Sequence, residues 1–193
     1  MRKGICVPMM TLCLLLSGCG EKEKAVDLRT AYQEMSGCTM EAVVTASQEE
    51  QVWEATLRCD YTPEETAVEV LAPENIAGVR AILRGEELTL EYEDICLDAG
   101  TVSREAISPM ACLPHLMCAL SDGWLLEENE ETWQEEPCLR LTMDQSGVET
   151  KIISTVWLRQ SDAAPLRGEI AVDEEIILTA EFTSFAFCDN ITK

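Results

Sequence analysis

Between Cys38 and Cys59 the chain alternates apolar and polar residues on both sides of a polar turn, "CTMEAVVTASQEEQVWEATLRC". Alternation of this kind is the signature of strands with one buried face. Folding it about Gln48 and Glu49, with Ala46 facing Gln51, sets Cys38 against Cys59, Met40 against Leu57, Ala42 against Ala55 and Val44 against Trp53. One face is then wholly apolar. The other carries Thr39 with Arg58, Glu41 with Thr56, Val43 with Glu54 and Thr45 with Val52, and is mostly polar. A slip of one residue would reverse the faces of one strand against the other, so the pattern predicts this register. Cysteines directly opposite on adjacent strands are bridgeable where local geometry permits, and a Cys38–Cys59 disulfide is expected under oxidising conditions.

Further strands are predicted at about 66–71, 79–83, 87–92 and 95–97, with "RGEE" as a hairpin turn. From Ser103 to Leu120 the alternation stops, and "SPMACLPHLMCALSDG" reads as one or two short helices that begin at Ser108-Pro109 and end at Asp122-Gly123. Pro114 should break a single helix begun at Pro109. Strands resume at 139–143, 149–158, 166–172 and 176–182, whereas "EENEETWQEE" reads as an acidic surface loop or turn. Upstream, "AVDLRTAYQEMSG" sets Val26, Leu28, Tyr32 and Met35 on one helical side, with Gly37 as the stop. The fold class that follows is mainly β with α: a curled antiparallel sheet, an incomplete barrel, wrapped over short helices.

The N-terminus carries an address. Arg2 and Lys3 precede an apolar run from about Ile5 to Leu16, too short to cross a bilayer comfortably, and Leu16-Ser17-Gly18-Cys19 has the form of a bacterial lipobox. Residues 1–18 are expected to be a signal peptide, 19–26 a lipidated tether and 27–193 a single domain. Cys19 is the expected anchor, carrying a covalent diacylglyceryl lipid that holds the chain to the extracytoplasmic face of the cell membrane. No other cofactor is expected.

The net charge is −22, and removing residues 1–18, which hold Arg2 and Lys3 and no acid, makes it −24. So acidic a body repels nucleic acid and anionic lipid. Seven cysteines follow the anchor, an odd number, so at least one stays free or bridges two molecules.

Catalytic chemistry is not indicated. His115 is the single histidine, and no nearby serine or acid pattern suggests a triad. Cys112, His115 and Cys118 recur at intervals of three, but Pro114 disturbs the helix and a fourth ligand is missing, so no metal site is assigned. The acidic runs read as solvated surface instead of a glycosidase pair.

"VLAPENIAGVRAILRGEELTLEY" (70–92) resembles the Pro-x-x-x-x-Gly and Gly-x-x-Leu-x-Leu-x-Tyr section of LolA-like lipoprotein carriers and of GerS-type germination lipoproteins. "VWLRQSDAAPLRGEI" (156–170) and "ILTAEFTSFAF" (177–187) resemble the later strands of the same families. The resemblance implies a LolA/LppX-like half-barrel whose apolar concavity, in LolA-like carriers, holds acyl chains. Carried over residue by residue, the ligand-facing positions are Met40, Ala42, Val44, Trp53, Ala55 and Leu57. Two readings stand. In the first, the concavity takes an acyl chain, a lipid or a lipoprotein; in the second, it is filled as core and the chain holds or activates an envelope or spore-germination enzyme. An anchor at Cys19 argues against a mobile shuttle in either case.

Overall fold

The computed structural model describes residues 21–48, 51–101 and 107–188. The lipobox and Cys19 lie outside them. Helix α1 (Glu21–Glu34) begins inside the stretch expected to be a tether and leads into β1 (Cys38–Gln48). Strands β2 (Gln51–Tyr61), β3 (Glu65–Ala72), β4 (Arg80–Arg84), β5 (Glu87–Tyr92) and β6 (Ile95–Thr101) follow as successive antiparallel neighbours. A 3-10 turn (Pro109–Ala111) opens α2 (Cys112–Asp122), after which come β7 (Trp124–Trp133), β8 (Glu136–Asp144), β9 (Ile152–Arg159), β10 (Pro165–Val172) and β11 (Glu175–Phe187).

The strand order is β6-β5-β4-β3-β2-β1-β11-β10-β9-β8-β7. The chain therefore meanders outward to one edge, crosses by α2 to the other, and meanders back until β11 closes on β1. Among the described residues the sheet stays open, with β6 and β7 as its edges. It curls around α2, whose Leu113, Leu116, Met117 and Leu120 are fully buried against the inner faces of both halves. Among the described residues, no helix is long and apolar enough to cross a membrane.

The first hairpin forms with the expected faces but not the expected register. Gln48 pairs with Gln51, so Cys38 lies opposite Tyr61, Met40 opposite Cys59, Ala42 opposite Leu57, Val44 opposite Ala55 and Ala46 opposite Trp53. The displacement is two residues. Side chains repeat every two residues along a strand, so an even slip keeps both faces intact and the alternation cannot register it. The observed pairing leaves a two-residue connection, the favoured hairpin length, where the expected one needs four. The predicted Cys38–Cys59 bridge is corrected by the same shift. The two cysteines are diagonal neighbours, a relation with Cα atoms typically about 7–8 Å apart, and both are free thiols buried on the inner face.

The acidic run is corrected as well. Residues 127–136 are not a loop: they form most of edge strand β7, a two-residue turn and the start of β8. Gln134 and Glu135 both have positive φ (47° and 70°), a turn of the hairpin-favouring kind built without the usual Asn-Gly or Asp-Gly.

Pro114 does not break α2. The helix proper starts at Cys112, so Pro114 sits in its first turn, where backbone N–H groups have no intrahelical partner to lose. The 3-10 turn ahead of it is capped by Ser108, whose Oγ accepts from the Ala111 N–H at 3.3 Å. At the other end, the unpaired carbonyls of α2 are taken up by α1. Arg29 donates to the carbonyls of Leu120 (2.9 Å) and Gly123, and Gln33 Nε2 donates to Ser121 (3.2 Å). A guanidinium at a helix C-terminus also opposes the negative end of the helix dipole. Tyr32 ties α1 to the β9–β10 connection by donating its hydroxyl to the Ala163 carbonyl at 2.6 Å.

Candidate functional site

The inner face of the β1–β2 hairpin is where the sequence places a ligand. Alternation brings Met40, Ala42, Val44, Ala55 and Leu57 to that face together, and their exposure is 0–2%. They share one continuous apolar cluster with Leu113, Leu116 and Met117 of α2. Trp53 lies further along the hairpin, half-buried opposite Ala46, and packs against the margin of the cluster. All six positions line one face, and α2 sits over it.

Two open clefts lie elsewhere. The larger, about 480 Å³, is at the corner of α1, α2 and β7, lined by Arg29, Gln33, Ser121, Asp122, Trp124 and Leu125. Its size matches small-ligand sites, but Arg29 and Gln33 are already committed to the carbonyls that end α2. The smaller, about 240 Å³, lies where β1 starts and β11 ends, and includes Cys38, Asp60, Tyr61, Arg80 and Cys188. Neither cleft is lined by any of the six hairpin positions.

The ionisable groups near the core are set for structure. Burial pushes the Cys38 thiol up to about 12, with a smaller contribution from Cys188, and Cys59 is raised chiefly by burial. Cys112, fully enclosed, is likewise pushed to about 12 by burial. These thiols stay protonated at neutral pH, whereas nucleophilic and metal-binding cysteines are thiolates. Burial lowers His115 to about 4, against a smaller opposing pull from the Gln145 side chain. Its Nε2 is enclosed without a hydrogen-bond partner. Gln145 in turn donates to the His115 carbonyl at 3.3 Å and accepts from Ser154 Oγ at 2.6 Å. Cys118 faces away from the core, its sulfur 3.7 Å from the Tyr61 hydroxyl. Among the described residues, no group of three or more His, Cys, Asp or Glu side chains is arranged to hold a metal ion.

Sequence reasoning placed short helices under the sheet but left open whether α2 fills the concavity or lines it. A helix rich in Leu and Met was visible, but the same residues suit a packed plug and the wall of a cavity, and only its seating separates the two.

No protein-family model matches the chain, and no curated protein matches it in sequence. Solved structures do resemble it. An uncharacterized conserved protein from Thermus thermophilus is 16% identical with a TM-score of 0.49, covering 88% of each chain. LprF from Mycobacterium bovis is 10% identical with a TM-score of 0.49, covering 86% of this chain and 92% of its own. A LolA superfamily protein from Nitrosomonas europaea is 11% identical with a TM-score of 0.47, covering 89% of this chain and 95% of its own. Likenesses at such identities, with TM-scores below 0.5, assign no ligand or activity to the chain.

Proposed function

We propose that the chain is a noncatalytic protein-interaction module, tethered through a diacylglyceryl thioether at Cys19 to the extracytoplasmic face of the membrane. One observation carries this reading: the concavity in which an acyl chain would lie is occupied by α2, and the hairpin residues facing it are packed core. An acyl chain gains roughly 0.8 kcal/mol per buried CH₂, but only in a groove that has room for it. A filled half-barrel offers its outer face and its edges instead. The anchor is supported by the Leu16-Ser17-Gly18-Cys19 pattern.

Native mass spectrometry and lipid extraction of the full chain, gently purified from membranes, test the reading. The expected result is acyl chains bound covalently at Cys19 and no stoichiometric noncovalent lipid. Copurifying lipid that is lost in a folded Trp53→Asp variant would overturn it in favour of the acyl-chain reading.

A further inference from the structure

The inner face is covered by α2 in its centre but not at the β6 edge. Cross-strand partners share a face, and on this face Val68, Ala81, Leu90 and Leu97 form one row across β3, β4, β5 and β6. Tyr92 and Ile95 pair beside them. Exposure rises along the rows, from 3% at Val68 to 58% at Leu97, with 66% at Ile95 and 42% at Tyr92. The opposite face of the same strands is mostly polar, with Ala67 and Ile82 buried among ion pairs between Arg84 and Glu65 (2.6 Å) and between Arg80 and Glu91 (3.6 Å).

The two edges of the sheet differ. On the inner face β7 carries Glu128 and Glu130, opposite Leu141 and Leu139, and Leu126 is an unpaired bulge between Leu125 and Glu127. Inward acids and a bulge are devices that discourage strand addition. At the other edge β6 sets Ile95 and Leu97 on that face and, among the described residues, has a paired neighbour on one side only. From residue 85 to 101 the hairpin holds six acids, Glu86, Glu87, Glu91, Glu93, Asp94 and Asp98, and no Lys or Arg.

We propose that the free edge and exposed inner face of the β5–β6 hairpin receive an extended, cationic, amphipathic segment of a partner protein, added as a further strand beside β6. This deepens the protein-interaction reading and rests on it. Strand addition gives main-chain hydrogen bonds, while alternate side chains read the surface. Apolar side chains of the incoming strand cover Ile95 and Leu97, and its Lys or Arg residues meet Asp94 and Asp98. A second copy of this chain is the wrong occupant, because it sets acids against acids on a body of net charge −22. An anionic lipid surface is repelled for the same reason.

The test uses the full chain and a synthetic peptide alternating lysine and valine, matched to the seven residues of β6; a glutamate–valine peptide is the control. The lysine peptide is expected to bind, to weaken as salt is raised, and to slow amide hydrogen exchange in residues 95–101, while the control does neither. An Ile95→Lys/Leu97→Lys double variant weakens binding by about tenfold or more. Both side chains are more than half exposed, so the core is untouched. Asp94→Asn/Asp98→Asn, with unchanged apolar surface, weakens binding and flattens the salt dependence.

Equal binding by wild type and the Lys double variant, or protection elsewhere on the sheet, overturns the proposal. So does self-association, or binding to phosphatidylglycerol vesicles, that the Lys double variant abolishes. If lipid copurifies and the peptide still docks on β6, the filled-concavity reading fails while this one stands. If no lipid copurifies and the peptide ignores β6, this one fails alone.

Discussion

The side chain of Leu116 on α2 lies directly over Gly168 of β10, and a Cβ at position 168 would collide with Leu116 Cδ1. The helix seats in the curl because that strand position has no side chain. Both residues are buried, and Leu116 is enclosed with Leu113, Met117 and Leu120 on the helix face that enters the core, so the clash is not relieved by a simple rotation. Gly168→Ala should lower unfolding free energy by about 1–3 kcal/mol, and Leu116→Ala by about 2–5 kcal/mol. Urea unfolding of the double variant should show a loss smaller than the sum of the two singles, the sign of direct coupling. Additive losses would mean that α2 is not seated on Gly168.

His115 gives the fold an acid-sensitive component. Its pKa falls from an ordinary 6.5 to about 4 when it is buried neutral in the folded chain. Between those values the unfolded chain binds the proton more readily, so stability rises with pH. The contribution is fully present above about 6.5 and is lost as pH falls towards 4, about 3 kcal/mol in all. In His115→Gln, the difference between variant and wild-type unfolding free energies should change across this window and be flat above it. Parallel curves from pH 7 to 4 would contradict the burial of the imidazole.

Much of this fold is legible where both faces of a strand have a stake. Leu88, Leu90 and Tyr92 alternate with Glu87, Thr89 and Glu91, and β5 begins and ends where that pattern says. The faces of the first hairpin follow in the same way, but its register does not, because a two-residue slip preserves every face. Strand β7 is illegible for a different reason: an edge strand buries little, so Glu128 and Glu130 stand on the inner face and no alternation survives. The candidate site was legible as a face and not as a cavity. Met40, Ala42, Val44 and Leu57 are required by either a groove or a core, and the choice depends on where Leu116 and Met117 land.

The thiols should divide by burial. Cys96, Cys118 and Cys188 are exposed, while Cys38, Cys59, Cys112 and Cys138 are buried. With iodoacetamide at neutral pH the native chain should label quickly at the first three and slowly at the other four, which become reactive only on unfolding. Cys38 is the most discriminating, since it is enclosed yet adjoins the cleft that Cys188 lines. Peptide mapping of aerobically purified protein should recover Cys38 and Cys59 as free thiols. A peptide linking them would contradict the observed register, which sets Tyr61 and Met40 opposite the two cysteines.

Arg167 holds the second edge of the sheet from outside. Its guanidinium lies 4.8 Å from the ring centroid of Trp133 and 5.9 Å from that of Trp157, and it donates to Glu169 (2.8 Å) and Glu181 (3.1 Å). Trp157 Nε1 donates to Glu131 at 2.9 Å, so β7 is joined to β9 by a hydrogen bond and to β10 by a stacked cation. The side chain is only 18% exposed, which makes the stack partly desolvated. Arg167→Lys keeps the charge but loses the planar fork and its stacking, at a cost of about 1 kcal/mol. The loss should be local, because among the described residues β7 has a neighbouring strand on one side only. Hydrogen exchange in residues 124–133 should accelerate, while residues 38–48 at the centre of the sheet keep their protection. Uniform acceleration across both stretches would show instead that Arg167 supports the whole fold and not its edge.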